Sequence, residues 1–213
     1  MLRKTAARPR RFLLTLAAIV AAAMMVVGAA LAAQPLYTDF SANRDQKELA
    51  REIKSERAKD AFQKSELAVG SPVTRIRIPK LGVDTVVVEG TSKEALDAGS
   101  GHYTESALPG QPGNVAIAGH RVTYGKPFND LDKLGEGDRV FLDTPVGSYV
   151  YEMVPAFGGH ANPWVIAPDD WSVIAPTAEP MLTLTTCHPK GSARQRLVAR
   201  LKLVESPPAV SSA

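Results

Sequence analysis

Met181-Leu-Thr-Leu-Thr-Thr-Cys187, followed after a short loop by Gln195-Arg-Leu-Val-Ala-Arg-Leu-Lys-Leu203, decides how this chain folds. Side chains alternate across a strand, so Leu182 and Leu184 share one face while Thr183, Thr185 and Cys187 share the other. In the second segment Leu197, Ala199, Leu201 and Leu203 form an apolar face. Arg194, Arg196 and Arg200 take the opposite one. His188-Pro-Lys-Gly-Ser-Ala193 reads as the loop of an antiparallel hairpin. A cysteine and arginines then lie on one polar face, within cross-strand reach. A symmetric hairpin sets Arg194 opposite Cys187 and Arg196 on the diagonal.

Working outward, residues 73–78 alternate and are rich in β-branched side chains, which predicts a strand; residues 85–88 predict a second. Ser92 caps a short helix that Gly99 stops. Residues 114–118 form an apolar strand closed by Gly119, and residues 128–134 suit a helical turn. Residues 139–143 and 148–154 flank Thr144-Pro-Val-Gly147 as a hairpin. Short strands with frequent Gly and Pro turns indicate a mainly β domain over residues 72–205, a closed barrel or a sandwich with short helices. Residues 206–213 are expected to be a loose tail.

Basicity sits at one end of the 213 residues. Residues 1–33 hold Arg3, Lys4, Arg8, Arg10 and Arg11 and no acid; the remainder carries 20 bases against 22 acids. A nucleic-acid partner therefore loses its support. Residues 12–33 are apolar apart from Thr15. At about 1.5 Å per residue they span roughly 33 Å, enough for a bilayer core of about 30 Å. The flanking charges put residues 1–11 in the cytoplasm and the chain beyond Ala33 outside. The apolar run exceeds the roughly 7–15 residues of a cleaved signal peptide, which favours a retained membrane anchor. Residues 34–71 read as a charged helical stalk or linker, solvated, with only Leu49, Ile53 and Phe62 as large apolar members of its charged part.

The lone Cys187 excludes an internal disulfide and a multi-cysteine zinc site. It is either a small core hydrophobe or a nucleophile. A neighbouring arginine favours the thiolate and can stabilise an oxyanion. Proton transfer needs a partner, and His102, His120, His160 and His188 compete for that role. His188 points to the other face of its strand and His160 sits in a loop. His120 ends an apolar strand, where a rigid scaffold can aim it into a cleft. The spacing of His102 and His120 matches no common metal site, so neither metal nor cofactor is expected.

Thr183-Leu-Thr-Thr-Cys187 with His188-Pro189, Gly113-Asn-Val-Ala-Ile-Ala-Gly-His120-Arg121 before it, and Gln195-Arg196-Leu-Val-Ala-Arg200 after it together resemble the sortases, membrane-anchored cysteine transpeptidases of Gram-positive bacteria. The likeness covers residues 73–203. Gly101-His-Tyr103, Ala107-Leu-Pro-Gly110 and Cys187-His-Pro-Lys190 look most like the class E sortases of actinobacteria. The resemblance implies an eight-stranded β-barrel behind an N-terminal transmembrane helix. It implies Cys187 as nucleophile, His120 as acid and base, and Arg196 as the oxyanion-stabilising arginine, with Arg194 as second choice. His102, Tyr103, Thr185, Thr186 and Arg194 are the residues expected to meet substrate.

The implied partners are secreted proteins bearing a C-terminal Leu-Ala-x-Thr-Gly or Leu-Pro-x-Thr-Gly signal, with a peptidoglycan precursor or lipid II amine as acceptor. The alternatives are a pilin-polymerising sortase and an anchored extracellular binding module with an inert cysteine. An L,D-transpeptidase is disfavoured, because its Ser-His-Gly-Cys box is absent.

Overall fold

The computed structural model describes residues 8–207. Residues 1–7, most of the expected cytoplasmic segment, and residues 208–213 of the expected tail lie outside them. The first helix, α1 (Arg8–Glu52), runs through both the expected anchor and the first part of the expected stalk. Its apolar residues from Phe12 to Leu31 are exposed, and the helix is long and apolar enough to cross a membrane. The chain divides into two units, residues 1–37 and 38–213.

The second unit is built on strands β1 (Pro72–Ile78), β2 (Val83–Glu89), β3 (Ser100–His102), β4 (Asn114–Ala118), β5 (Arg139–Thr144) and β6 (Gly147–Met153). After three short strands, β7 (Ala156–Phe157), β8 (His160–Ala161) and β9 (Trp164–Ile166), come β10 (Met181–His188) and β11 (Gln195–Glu205). The neighbours run β10-β4-β3-β2-β1-β5-β6-β11, and β11 pairs back onto β10. Among the described residues, eight strands therefore close into a barrel. Strand β9 is added to the free part of β11, while β7 and β8 form a separate hairpin. Seven of the eight barrel strands are those expected from alternation or from short apolar, β-branched runs. The eighth, β3, is three residues containing Gly101, too short to show either.

Ile76, Val115, Ile117, Phe128, Leu142, Tyr151, Leu182, Leu184 and Leu201 fill the barrel. The side chains read as one apolar face of the last two strands do point inward. Helix α3 (Lys93–Ala98) starts where expected, with the Ala95 N–H donating to the Ser92 hydroxyl.

The expectation of a solvated stalk is corrected. Leu49 and Ile53 are buried against Val86, Val88 and Ala95, and Phe62 of α2 (Glu56–Lys64) against Val73 and Leu108. The amide of Gln46 bridges to the edge of β2, donating to Val86 O at 3.0 Å and accepting from Val86 N at 2.5 Å. The charged composition hid this because so few apolar residues are needed to bind a short helix to a sheet. We expect Phe62→Ala to lower the unfolding free energy by about 3 kcal/mol, the cost of emptying a buried aromatic site. Denaturant unfolding of the detergent-solubilised chain checks it. A loss under about 0.5 kcal/mol, typical of a surface position, would mean that the segment is a detached spacer.

Candidate active site

Strand β10 is hydrogen-bonded on both edges. Its parallel ladder with β4 pairs Thr185 with Ala118, and its antiparallel ladder with β11 pairs Cys187 with Arg196. His120 lies two residues beyond Ala118, and Cys187 two residues beyond Thr185. Strand β4 ends at Ala118, so His120 stands on the loop that leaves it, lining the same cleft as Cys187. The Gly119 N–H, donating to Thr185 O at 3.1 Å, carries the pairing past the end of β4. Cys187 and Arg196 are therefore cross-strand neighbours on β10 and β11, with His120 on the loop leaving β4.

The expected symmetric hairpin is corrected. The last pair is His188 with Gln195, so residues 189–194 form the loop and Arg194 falls outside the ladder. Arg194 is exposed and absent from the cleft, while Arg196 is the residue directly opposite the cysteine. Period-two alternation could not separate the two arginines, because both share one parity. Arg200, on the same face, is buried beneath Phe157 with its guanidinium 4.3 Å from the ring centre. Burial pushes its pKa down to about 10.

A cleft of about 270 Å³ is lined by Tyr103, His120, Trp171, Thr185, Cys187 and Arg196, among others. Arg196 spends one terminal nitrogen on the carbonyls of Ala193 and Gln195, at 3.0 and 3.1 Å. A guanidinium has five N–H donors, so others remain for a ligand. Thr185 is buried and its hydroxyl has no hydrogen-bond partner. The Thr186 hydroxyl is committed elsewhere, donating to Gly119 O at 2.7 Å. That bond clamps the backbone just before His120 to the side chain just before Cys187. A β-carbon at Gly119 would meet the Phe128 ring at 2.6 Å, so only glycine fits this approach.

The His120 side chain is 27% exposed, and its Nε2 lies 3.7 Å from Asp97 Oδ1, an ion-pair separation too long for a hydrogen bond. Tyr124 stacks on the imidazole with ring centres 5.0 Å apart. Burial lowers the His120 pKa below its ordinary value; Asp97 opposes that fall without cancelling it, and Lys93 adds slightly to it. Burial likewise raises the Tyr103 phenol, with Arg196 pulling it back.

His102 is not brought to the cleft. It is 1% exposed, with Nδ1 2.9 Å from Glu89 Oε2 and Nε2 3.0 Å from both Ala107 O and Ser106 Oγ. Its ring pins the loop after β3, which accounts for a histidine at a turn without any substrate. His160 is exposed on β8. Among the described residues no group of three or more His, Cys, Asp or Glu is placed to hold a metal ion.

Sequence reasoning missed Arg121. It is 4% exposed and donates to Asp132 at 2.8 Å, Asn129 O at 3.2 Å, Cys187 O at 3.4 Å and His188 Nδ1 at 3.2 Å. It fastens the loop carrying His120 to the end of the strand carrying Cys187. The available signal was a basic residue directly after His120, with Asp132 in the following segment to neutralise it.

A profile of the sortase domain matches residues 76–204. Sortase SrtE1 of Streptomyces coelicolor is 30% identical over 187 residues, covering 81% of this chain and 51% of that protein. The chain thus spans about half the length of this curated relative. Among solved structures, sortase E from Streptomyces avermitilis superposes with a TM-score of 0.56 at 37% identity, over 65% of this chain and 91% of that one. A Clostridium perfringens sortase D5 transpeptidase gives a TM-score of 0.63 at 27% identity, over 76% of this chain and 98% of its own.

Asp97 favours the imidazolium, so Asp97→Asn is expected to move the His120 titration midpoint further below 6.5. NMR titration of the His120 ring checks this; a midpoint that stays or rises contradicts the assignment of Asp97 as its partner.

Proposed function

The chain belongs to the sortase family, and from that premise we propose that it is a membrane-anchored cysteine transpeptidase joining secreted proteins to the cell wall. The observation that carries this reading is the one cleft that His120, Cys187 and Arg196 line together. The thiolate of Cys187 attacks the carbonyl carbon of the Thr–Gly bond in a C-terminal sorting signal. Free guanidinium N–H groups of Arg196 hold the resulting oxyanion. The bond to glycine breaks as protonated His120 gives its proton to the departing amine, leaving a thioester on Cys187. An amine of a peptidoglycan precursor or lipid II then attacks the thioester, neutral His120 takes its proton, and the thiolate leaves. The depressed His120 pKa makes its protonated form the stronger acid, at the cost of a smaller protonated fraction near neutral pH.

Tyr103 and Thr185 line the cleft together with Cys187, which supports a role for both in binding the signal peptide. Thr185 brings a buried hydroxyl that a peptide can satisfy. The class E likeness of Gly101-His-Tyr103 and Ala107-Leu-Pro-Gly110 favours Leu-Ala-x-Thr-Gly over Leu-Pro-x-Thr-Gly. The apolar stretch of α1, residues 12–33, serves as the anchor, with residues 1–11 cytoplasmic and the barrel outside. Anchoring keeps the cleft near clients that are themselves still held in the membrane.

Cleavage of signal peptides at Thr–Gly by the purified full chain tests the arginine assignment. Arg196→Ala is expected to lose about 100-fold or more in kcat/KM, the scale of one lost oxyanion donor, with Arg194→Ala staying within about threefold of the parent. The reverse ranking would move the oxyanion role to Arg194.

A further inference from the structure

The segment after His120 is strained where no fold requirement explains it. Thr123-Tyr-Gly-Lys126 forms a turn closed by the Lys126 N–H donating to Thr123 O at 2.9 Å. Both central residues have positive φ, 51° at Tyr124 and 72° at Gly125, and Lys126 follows at 42°. Such a turn favours Asn, Asp or Gly at its first central position. A tyrosine there is costly for its bulk. The Tyr124 ring is also the one stacked on His120, with an interplanar angle of 27°. The Lys93 ammonium lies 5.8 Å from the centre of the Tyr124 ring while bonding Asp97, the carboxylate beside His120. Outside the turn, Asp39 of α1 accepts the Gly125 N–H at 2.9 Å and faces Lys126 Nζ at 3.4 Å. Asp39 belongs to the same unit as the barrel, in the helical segment whose Gln46 is bonded to β2.

We propose that Tyr124 is a positioning residue for His120, and that Asp39 holds the strained turn which presents it. The ring limits the imidazole to orientations facing the cleft and keeps water off one of its faces. The hydrogen bond from Gly125 to Asp39 holds the unfavourable backbone in place. The tyrosine is kept at a position that glycine would occupy without strain because its ring serves the histidine. This rests on His120 being the proton-transfer group, so the test needs a readout that does not depend on turnover.

The experiment uses the full-length chain in detergent, with Tyr124→Gly, Tyr124→Phe, Asp39→Ala and Asp39→Asn. It measures signal-peptide cleavage, the thermal midpoint and the NMR titration of the His120 ring. Besides Tyr124 itself, the charged and titratable groups around that ring are Asp97 and Lys93 on α3, with Tyr103, Asp170, Cys187 and Arg196 lining the same cleft; all of these are unchanged in these variants. Tyr124→Gly is expected to leave Tm unchanged or higher, because glycine adopts this backbone freely. Its kcat/KM falls about tenfold or more, as misplacement of a reacting group allows, and the His120 midpoint rises as water reaches the ring. Tyr124→Phe retains most activity, since stacking needs the ring and not the hydroxyl. Asp39→Ala follows the glycine variant part of the way, and Asp39→Asn, which keeps an acceptor for Gly125, recovers.

The proposal is overturned if Tyr124→Gly keeps its kcat/KM and leaves the His120 midpoint unmoved. It is equally overturned if activity and Tm fall together with that midpoint fixed. Asparagine as damaging as alanine at position 39 would remove Asp39 from the account. A parent protein inert towards every peptide would instead count against the transpeptidase reading, while the titration would still report on Tyr124.

Discussion

Two hydrogen-bond ladders on one strand govern both the barrel and its cleft. Strand β10 is paired parallel to β4 and antiparallel to β11, and those pairings close the barrel. The side-chain period is two, so a slip of one residue in either ladder would turn Cys187 from the cleft into the core and Leu184 out of it. Burial of Leu182, Leu184, Leu197 and Leu201 forbids that slip. The same apolar contacts that stabilise the barrel therefore set the level of the sulfur relative to His120 and Arg196. Pairing sets Cys187 against Arg196 and brings the end of β4 beside them; the loop bonds then hold His120.

The polar groups around this cleft refine what pairing begins. Thr186 ties its hydroxyl to Gly119 O, and Arg121 reaches from beside His120 to the Cys187 carbonyl. Both bonds cross between β10 and the chain leaving β4, the seam where the histidine departs from regular structure. Burying a guanidinium is expensive unless its donors are met. Arg121 meets them with Asp132, two backbone carbonyls and the His188 ring, so its charge is compensated where it lies. Thr185 contrasts with these neighbours, since its buried hydroxyl has no partner among the described residues.

Much of this was readable in the residues. Alternation in β10 and β11 gave the faces, the apolar run 114–118 gave β4 to the residue, and Ser92 marked α3. What could not be read was whatever alternation does not encode. Arg194 and Arg196 have the same parity, so only the length of the loop before β11 distinguishes them. His102 follows a glycine-rich stretch like a ligand-binding residue, yet it ends β3 and Glu89, thirteen residues earlier, takes its Nδ1. The segment around Leu49 and Phe62 looked solvated because composition counts charges, while docking depends on where a few apolar side chains fall. Tyr124 gave no signal, since strain exists only in the folded backbone.

The central claim is that Cys187 forms an acyl bond to a sorting signal within this cleft. Intact-mass analysis of the full chain after incubation with Leu-Ala-x-Thr-Gly peptide tests it most directly. The account predicts a mass increase equal to the peptide fragment ending at threonine, mapped to Cys187 and absent from Cys187→Ala. Peptide cleaved equally well by Cys187→Ala, or no adduct and no cleavage with either Leu-Ala-x-Thr-Gly or Leu-Pro-x-Thr-Gly peptides, would contradict it.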